Sequence, residues 1–170
     1  SGAFFSSLLG SANGLRSRMA SARQLGYRIL SRTLRALYRR FPVFGRLRSA
    51  IAVIRFDSGY LLMDRADGLG LSFPGGFCHW GESAETTVRR EVSEETGLQI
   101  LSTRFLFDFL DNDDVPARTA VFEVEVSGMP RGSWEGSLTV LDLATASGRI
   151  VRSHTPVVAF LRNGRNASPP

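Results

Sequence analysis

The chain contains no lysine, and all 21 of its basic residues are arginine. Arginine codons are GC-rich and lysine codons AT-rich, so we read the bias as base composition. Cysteine is nearly absent too. A single residue, Cys78, cannot close an internal disulfide, which excludes a disulfide-stapled secreted scaffold. Long apolar runs are also lacking. The longest uncharged stretch, Ser1 to Leu15, is too short and too rich in Ser and Gly to span a bilayer. With 43% hydrophobic residues and a net charge of only +5, the chain is not disordered throughout. Its 170 residues suit one domain of about 100–150 residues with an extension.

The first fifty residues lack acid altogether. They hold ten arginines, whereas residues 51–170 hold eleven arginines and all sixteen Asp and Glu. A cationic arm of +10 therefore precedes a body of −5. Within the arm, a helical period places Tyr27, Leu30, Leu34, Leu37, Tyr38 and Phe41 inside an arc of about 100°. Arg28, Arg32, Arg35 and Arg39 fall opposite, and Pro42 and Gly45 end the pattern. This reads as a cationic amphipathic helix with three possible uses. Its apolar stripe packs on the body or on a second copy, giving a homodimer; it lies on an anionic membrane surface; or its arginines hold RNA phosphates. The Arg- and Ser-rich, acid-poor composition also suits an organellar transit segment, and Met19 offers an alternative start. The division expected is 1–45 as an extension, 46–163 as a folded domain and 164–170 as a frayed end.

The body reads as alternating strands and helices. Ala50–Phe56 predicts a buried strand, Asp57–Gly59 a turn, and Tyr60–Met63 its hairpin partner. A loop with Gly68 and Gly70 leads to Phe73-Pro-Gly-Gly-Phe77. Ser83 is a candidate helix N-cap with Gly97 just past the end. Gln99–Leu110 and Arg118–Val126 predict strands, Leu138–Leu143 a further short strand, and Thr155–Leu161 a last helix with Pro156 in its first turn.

Chemistry concentrates on the helix after Ser83. Glu91, Glu94 and Glu95 stand at i, i+3 and i+4, so three carboxylates project from one face. Like charges that close raise one another's pKa unless a cation intervenes. A hard divalent ion such as Mg²⁺, which takes oxygen ligands and keeps waters for bridging to phosphate, answers that need. Taken alone, such a triplet is more often an ordinary solvated acidic face.

The spacing around it is far more specific: Gly76, five residues, Glu82, seven residues, Arg90-Glu91-Val92, one residue, Glu94-Glu95, one residue, Gly97-Leu98. These nine positions over 23 residues resemble the Nudix box, the signature of hydrolases that cut nucleoside diphosphates linked to another moiety. The resemblance extends over roughly 49–163 and implies an α+β fold, an α/β/α sandwich with a mixed sheet, to which the amphipathic helix would be added. It also implies a Mg²⁺-dependent pyrophosphohydrolase acting on a small nucleotide substrate, with Mn²⁺ as a possible substitute. The location expected is cytoplasmic, with peripheral membrane association or organellar targeting through the arm as alternatives.

By the same resemblance, Glu91, Glu94 and Glu95 are the implied metal ligands, joined by the Gly75 carbonyl, while Glu82 and Arg90 pair to hold the loop against the helix. The proton-accepting carboxylate is Glu94 or Glu95 of the box, or an acid from a later loop, for which Glu135 is the candidate. Phe77, Trp80 and Trp134 are candidates to stack on a base. Subfamily markers are mostly missing, and His79 stands where the family usually has an acid. Cys78 with His79 raises a transition-metal alternative, which adjacency on a strand disfavours because neighbours point to opposite sides. An idle Nudix domain that senses a nucleotide or binds a partner is the competing function, although such domains usually lose box glutamates that this chain keeps.

Overall fold

The computed structural model describes residues 46–164 other than Asp57 and Asp114, together with Thr33, Leu37 and Tyr38 of the arm. Most of the helix expected over 27–41, and the frayed end from residue 165 on, lie outside the described residues.

The run Ala50-Ile-Ala-Val-Ile54 is buried at every position, the pattern of a strand covered on both faces. It lies in β1 (Leu47–Phe56), the hub of a mixed sheet. β2 (Gly59–Arg65) returns beside its end as an antiparallel hairpin. β3 (Leu71–Ser72) pairs with β2, and β4 (Gly75–Phe77) pairs antiparallel with β1, setting Gly75 opposite Ile51 and Gly76 opposite Ala50. β5 (Gln99–Asp111) and β6 (Ala117–Ser127) form a long antiparallel hairpin, and β6 runs parallel to β1 from Leu47↔Ala117 to Ile54↔Val124. β7 (Gly136–Leu141) pairs with β2. The resulting order is β3-β2-β1-β6-β5, with β4 on β1 and β7 on β2.

Alternation along β1 sends side chains to two cores. Ala50, Ala52 and Ile54 meet Val88, Val92 and Leu98 under α1 (Ala84–Thr96). Ile51 and Val53 join Phe73, Phe107 and Val157 on the other face. There α2 (Leu143–Ala146) and α3 (Thr155–Arg162) complete the second helical layer, with Phe160 of α3 at 4.6 Å from the Phe107 ring. Each large apolar side chain so buried contributes about 1.5–3 kcal/mol relative to exposure.

The α1 ends follow the sequence signals. Ser83 Oγ accepts the Thr86 N–H at 3.0 Å, and Gly97 takes φ 67°, a left-handed cap. One expectation shifts: the strand read at Leu138–Leu143 is Gly136–Leu141, because Asp142 instead caps α2 by accepting the Ala144 and Thr145 N–H groups. Among the described residues no helix is long and apolar enough to cross a membrane.

Candidate active site

Three carboxylates on one helical face do not share one environment. Helical spacing puts Glu95 on the same stripe as Val88 and Val92, Glu91 at its edge, and Glu94 well to the side. Accordingly Glu95 is 4% exposed, the Glu91 side chain 14% and the Glu94 side chain 61%. α1 therefore carries a carboxylate into the core layer at its last turn. There Glu95 accepts the Gly75 N–H through Oε2 at 2.9 Å. Burial pushes its pKa up to about 8, with the Glu91 and Glu135 charges adding to the shift and the Gly75 bond and Arg65 opposing it. Glu91 is likewise raised, chiefly by burial, against the pull of Arg90.

Gly75 is required by closeness, not merely by flexibility, and Gly76 lies tight against the Glu91 carboxyl. Gly75 has φ +150°, and a Cβ there would stand 2.2 Å from the Ala50 carbonyl oxygen. A Cβ on Gly76 would stand 2.3 Å from Glu91 Oε1. Bare backbone at Gly75 lets β4 lie against β1 while it passes the acidic face of α1.

Arg90 organises the loop between β4 and α1. Its Nε and Nη2 donate to the two Glu82 oxygens at 3.1 Å each, Nη2 donates to the Phe77 carbonyl at 3.2 Å, and Nη1 donates to Glu91 at 2.8 Å and to Glu94 at 3.3 Å. Glu82 also accepts from the His79 N–H and the Thr87 hydroxyl, both at 2.9 Å. These bonds, Arg90's first, hold the Glu82 carboxyl down to about 2.

Glu135 reaches the same cluster from forty residues away. The β2–β7 ladder sets Gly136 opposite Arg65, and the Ala66 N–H donates to the Glu135 carbonyl at 2.7 Å. Its carboxyl is raised by burial and by Glu94 and Asp67, while Arg65 opposes. Arg65, gripped by the buried Asp67, was not singled out from sequence. Its place at the end of β2, before a glycine loop, was the available signal. All three candidate aromatics are exposed, and of them Phe77 lines the cleft, beside Gly76, whereas Trp80 and Trp134 do not. The His79 ring is exposed, 4.0 Å from Glu82.

That cleft, of about 90 Å³, runs from Gly75 and Gly76 past Ser49, Ile51 and Thr119 to the β5–β6 turn. Among the described residues no three of His, Cys, Asp and Glu close into a metal cage, and the Arg90 guanidinium holds Glu91 and Glu94. The donor set nonetheless fits a hard dication. Glu91, Glu95 and Glu135 are crowded acids raised by burial and by neighbouring negative charge, which an added positive charge would relieve.

The sign of the Glu95 shift has a measurable effect on metal-free protein. Its folded pKa lies above the unfolded value, so the folded state binds the extra proton. Stability is then lost as pH rises from about 4.5 through about 8. Glu82 acts oppositely, its contribution being lost as pH falls below about 4.5 towards 2. In EDTA, Glu95→Gln should therefore gain in melting temperature over the native chain as pH climbs from 5 to 8.5. A gap that narrows over that range would contradict the burial argument.

The family model described as NUDIX domain matches residues 46–145. Among solved structures, the chain is similar to a MutT protein from Methanosarcina mazei Go1, with TM-score 0.64 and 19% identity over 72% of this chain and 97% of that one. It is similar to a MutT NUDIX hydrolase from Burkholderia pseudomallei, with TM-score 0.59 and 22% identity over 67% and 96%. A bifunctional NMN adenylyltransferase/ADP ribose pyrophosphatase from Francisella tularensis, complexed with AMP and a Mn ion, gives TM-score 0.60 and 14% identity over 81% of this chain and 48% of that one. No curated protein matches.

Proposed function

The chain belongs to the Nudix family, and on that premise we propose that it is a Mg²⁺-dependent hydrolase of the diphosphate linkage in a nucleoside diphosphate derivative. The observation that carries this reading is the Glu95 carboxylate. It is buried on the apolar stripe of α1, crowded by Glu91 and Glu135, and bonded to the N–H of Gly75, which itself lines the cleft. A buried acid without a charge-balancing purpose is costly to fold.

Glu91, Glu94, Glu95 and the Gly75 carbonyl would hold the dication. When bound, it would polarise phosphoryl oxygens and neutralise the leaving group. Arg90 fixes Glu91 and the loop carrying Glu82, so the ligand face keeps its shape as substrate enters. Glu135, half-buried and coupled to the Glu94 charge, would take a proton from the attacking water, or Glu94 or Glu95 would do so in its stead. Arg65 opposes the rise that burial imposes on the Glu135 pKa.

The test is product release from nucleoside triphosphates, ADP-ribose, NADH, dinucleoside polyphosphates, sugar nucleotides and CoA, with Mg²⁺, Mn²⁺ or EDTA. Cleavage of one compound well above the others, abolished by EDTA and restored by either metal, is the expected result. Thermal stabilisation by a nucleotide with no cleavage under any condition would replace the hydrolase with a sensor domain.

A further inference from the structure

The cleft's far wall is made by the 3₁₀ turn Arg152–His154, which enters neither the box nor the acidic cluster. His154 Nδ1 accepts the Phe73 N–H at 3.1 Å, and its ring stacks on Phe73 with centroids 6.0 Å apart and planes at 28°. A backbone N–H can only donate, so Nδ1 is the acceptor and the neutral ring's proton sits on Nε2. Among the described residues Nε2 has no bonding partner, and the buried polar side-chain atoms left unpaired there number one, Ser72 Oγ. Nε2 is therefore open to the cleft that His154 lines.

The surroundings keep this donor neutral and give it company. Burial, aided by the Arg65 charge, holds the His154 pKa down to about 3. Ser49 and Thr119, opposite partners across β1 and β6, share a hydroxyl hydrogen bond of 2.7 Å and line the same cleft. Ile51, Val115 and Ala117 supply apolar wall. Arg65 also lines the cleft, but its guanidinium already donates twice to Asp67, so the neutral donor, the hydroxyls and the aliphatic surface suit a flat polar heterocycle better than a phosphate, which would seek an uncommitted cation.

We propose that His154 is a specificity-determining residue that donates its Nε2–H to an acceptor atom of the substrate's nucleobase, seating the base in the cleft so that the diphosphate lies across Glu91, Glu95 and Glu135. The proposal rests on the hydrolase reading for what lies at the acidic end, but the base contact is separable from catalysis and from metal.

The experiment is calorimetric binding of the four nucleoside 5′-monophosphates and of ribose 5-phosphate in EDTA, to the native chain, His154→Asn and His154→Gln. Asn keeps an acceptor where Nδ1 stood and removes the Nε2–H, whereas Gln sets an amide N–H near the Nε2 position. At least one nucleotide should bind the native chain more tightly than ribose 5-phosphate. Its Kd should weaken about tenfold in His154→Asn, the loss of one neutral hydrogen bond, and recover at least in part in His154→Gln. Ribose 5-phosphate should bind all three alike. Equal weakening of nucleotide and ribose 5-phosphate, or no change in either, overturns the assignment, as does a native chain that prefers no nucleotide. Metal-dependent cleavage of the diphosphate panel is read independently, so a failed base contact and a failed hydrolase reading give different results.

Discussion

Replacing Glu95 with glutamine is expected to lower turnover about 100-fold or more while leaving the fold intact. Glutamine has the same shape, and its amide oxygen can still accept the Gly75 N–H now bonded at 2.9 Å. What disappears is the negative charge at the most buried of the three box carboxylates. Glu85→Gln on the same helix is the control. That exposed carboxylate bonds Arg89 and Thr103 and stands away from the cleft, so its loss should leave turnover almost unchanged. The comparison needs kcat for both variants at saturating metal, with circular dichroism to show equal helicity. Near-native turnover of the Glu95 variant would remove the carboxylate from the metal assignment.

Gly75→Ala should have the largest effect on stability. The added Cβ would lie 2.2 Å from the Ala50 carbonyl oxygen and 2.9 Å from Ile51 Cα, both backbone atoms of the central strand. Neither can swing aside as a side-chain tip could, and φ +150° is unfavourable for any residue with a Cβ. A loss of about 3 kcal/mol or more follows, which corresponds to a fall in melting temperature of roughly 6–12 °C. Gly81→Ala separates clash from conformation. Gly81 also has positive φ, at +77°, but a Cβ there meets nothing within 4 Å. It should cost only the left-handed penalty of about 1–2 kcal/mol. Equal melting temperatures for the two variants would mean that β4 can move away from β1.

How far the sequence shows these features depends on the distance over which each is specified. Helix α1 is legible down to its caps, because Ser83, Gly97 and the Val88–Val92 spacing act within a few residues. The unequal burial of Glu94 and Glu95 was legible too, since Glu95 continues the valine stripe, but the reading by charge alone grouped the three acids together. Arg65 and His154 are different. Arg65 matters because β7 brings Glu135 beside it, and His154 because a backbone N–H eighty-one positions earlier fixes its tautomer. Neither relation leaves a local periodic trace. Trp80 and Trp134, conspicuous by composition, stand exposed instead.

The parallel pairing of β1 with β6 bears on how the molecule assembles. Ser49 and Thr119, partners in that ladder, are seventy residues apart. The β5–β6 hairpin closes across a short turn and can form early, but β1 must wait for the far larger loop to close before its ladder repays the lost chain entropy. Gly75 is paired to β1, and its N–H in turn meets the Glu95 carboxylate. The acidic stripe of α1 is specified locally, but the cleft needs β1 and β6 together, and a nascent chain halted before β6 emerges would present β1 with an unsatisfied edge and no assembled cleft.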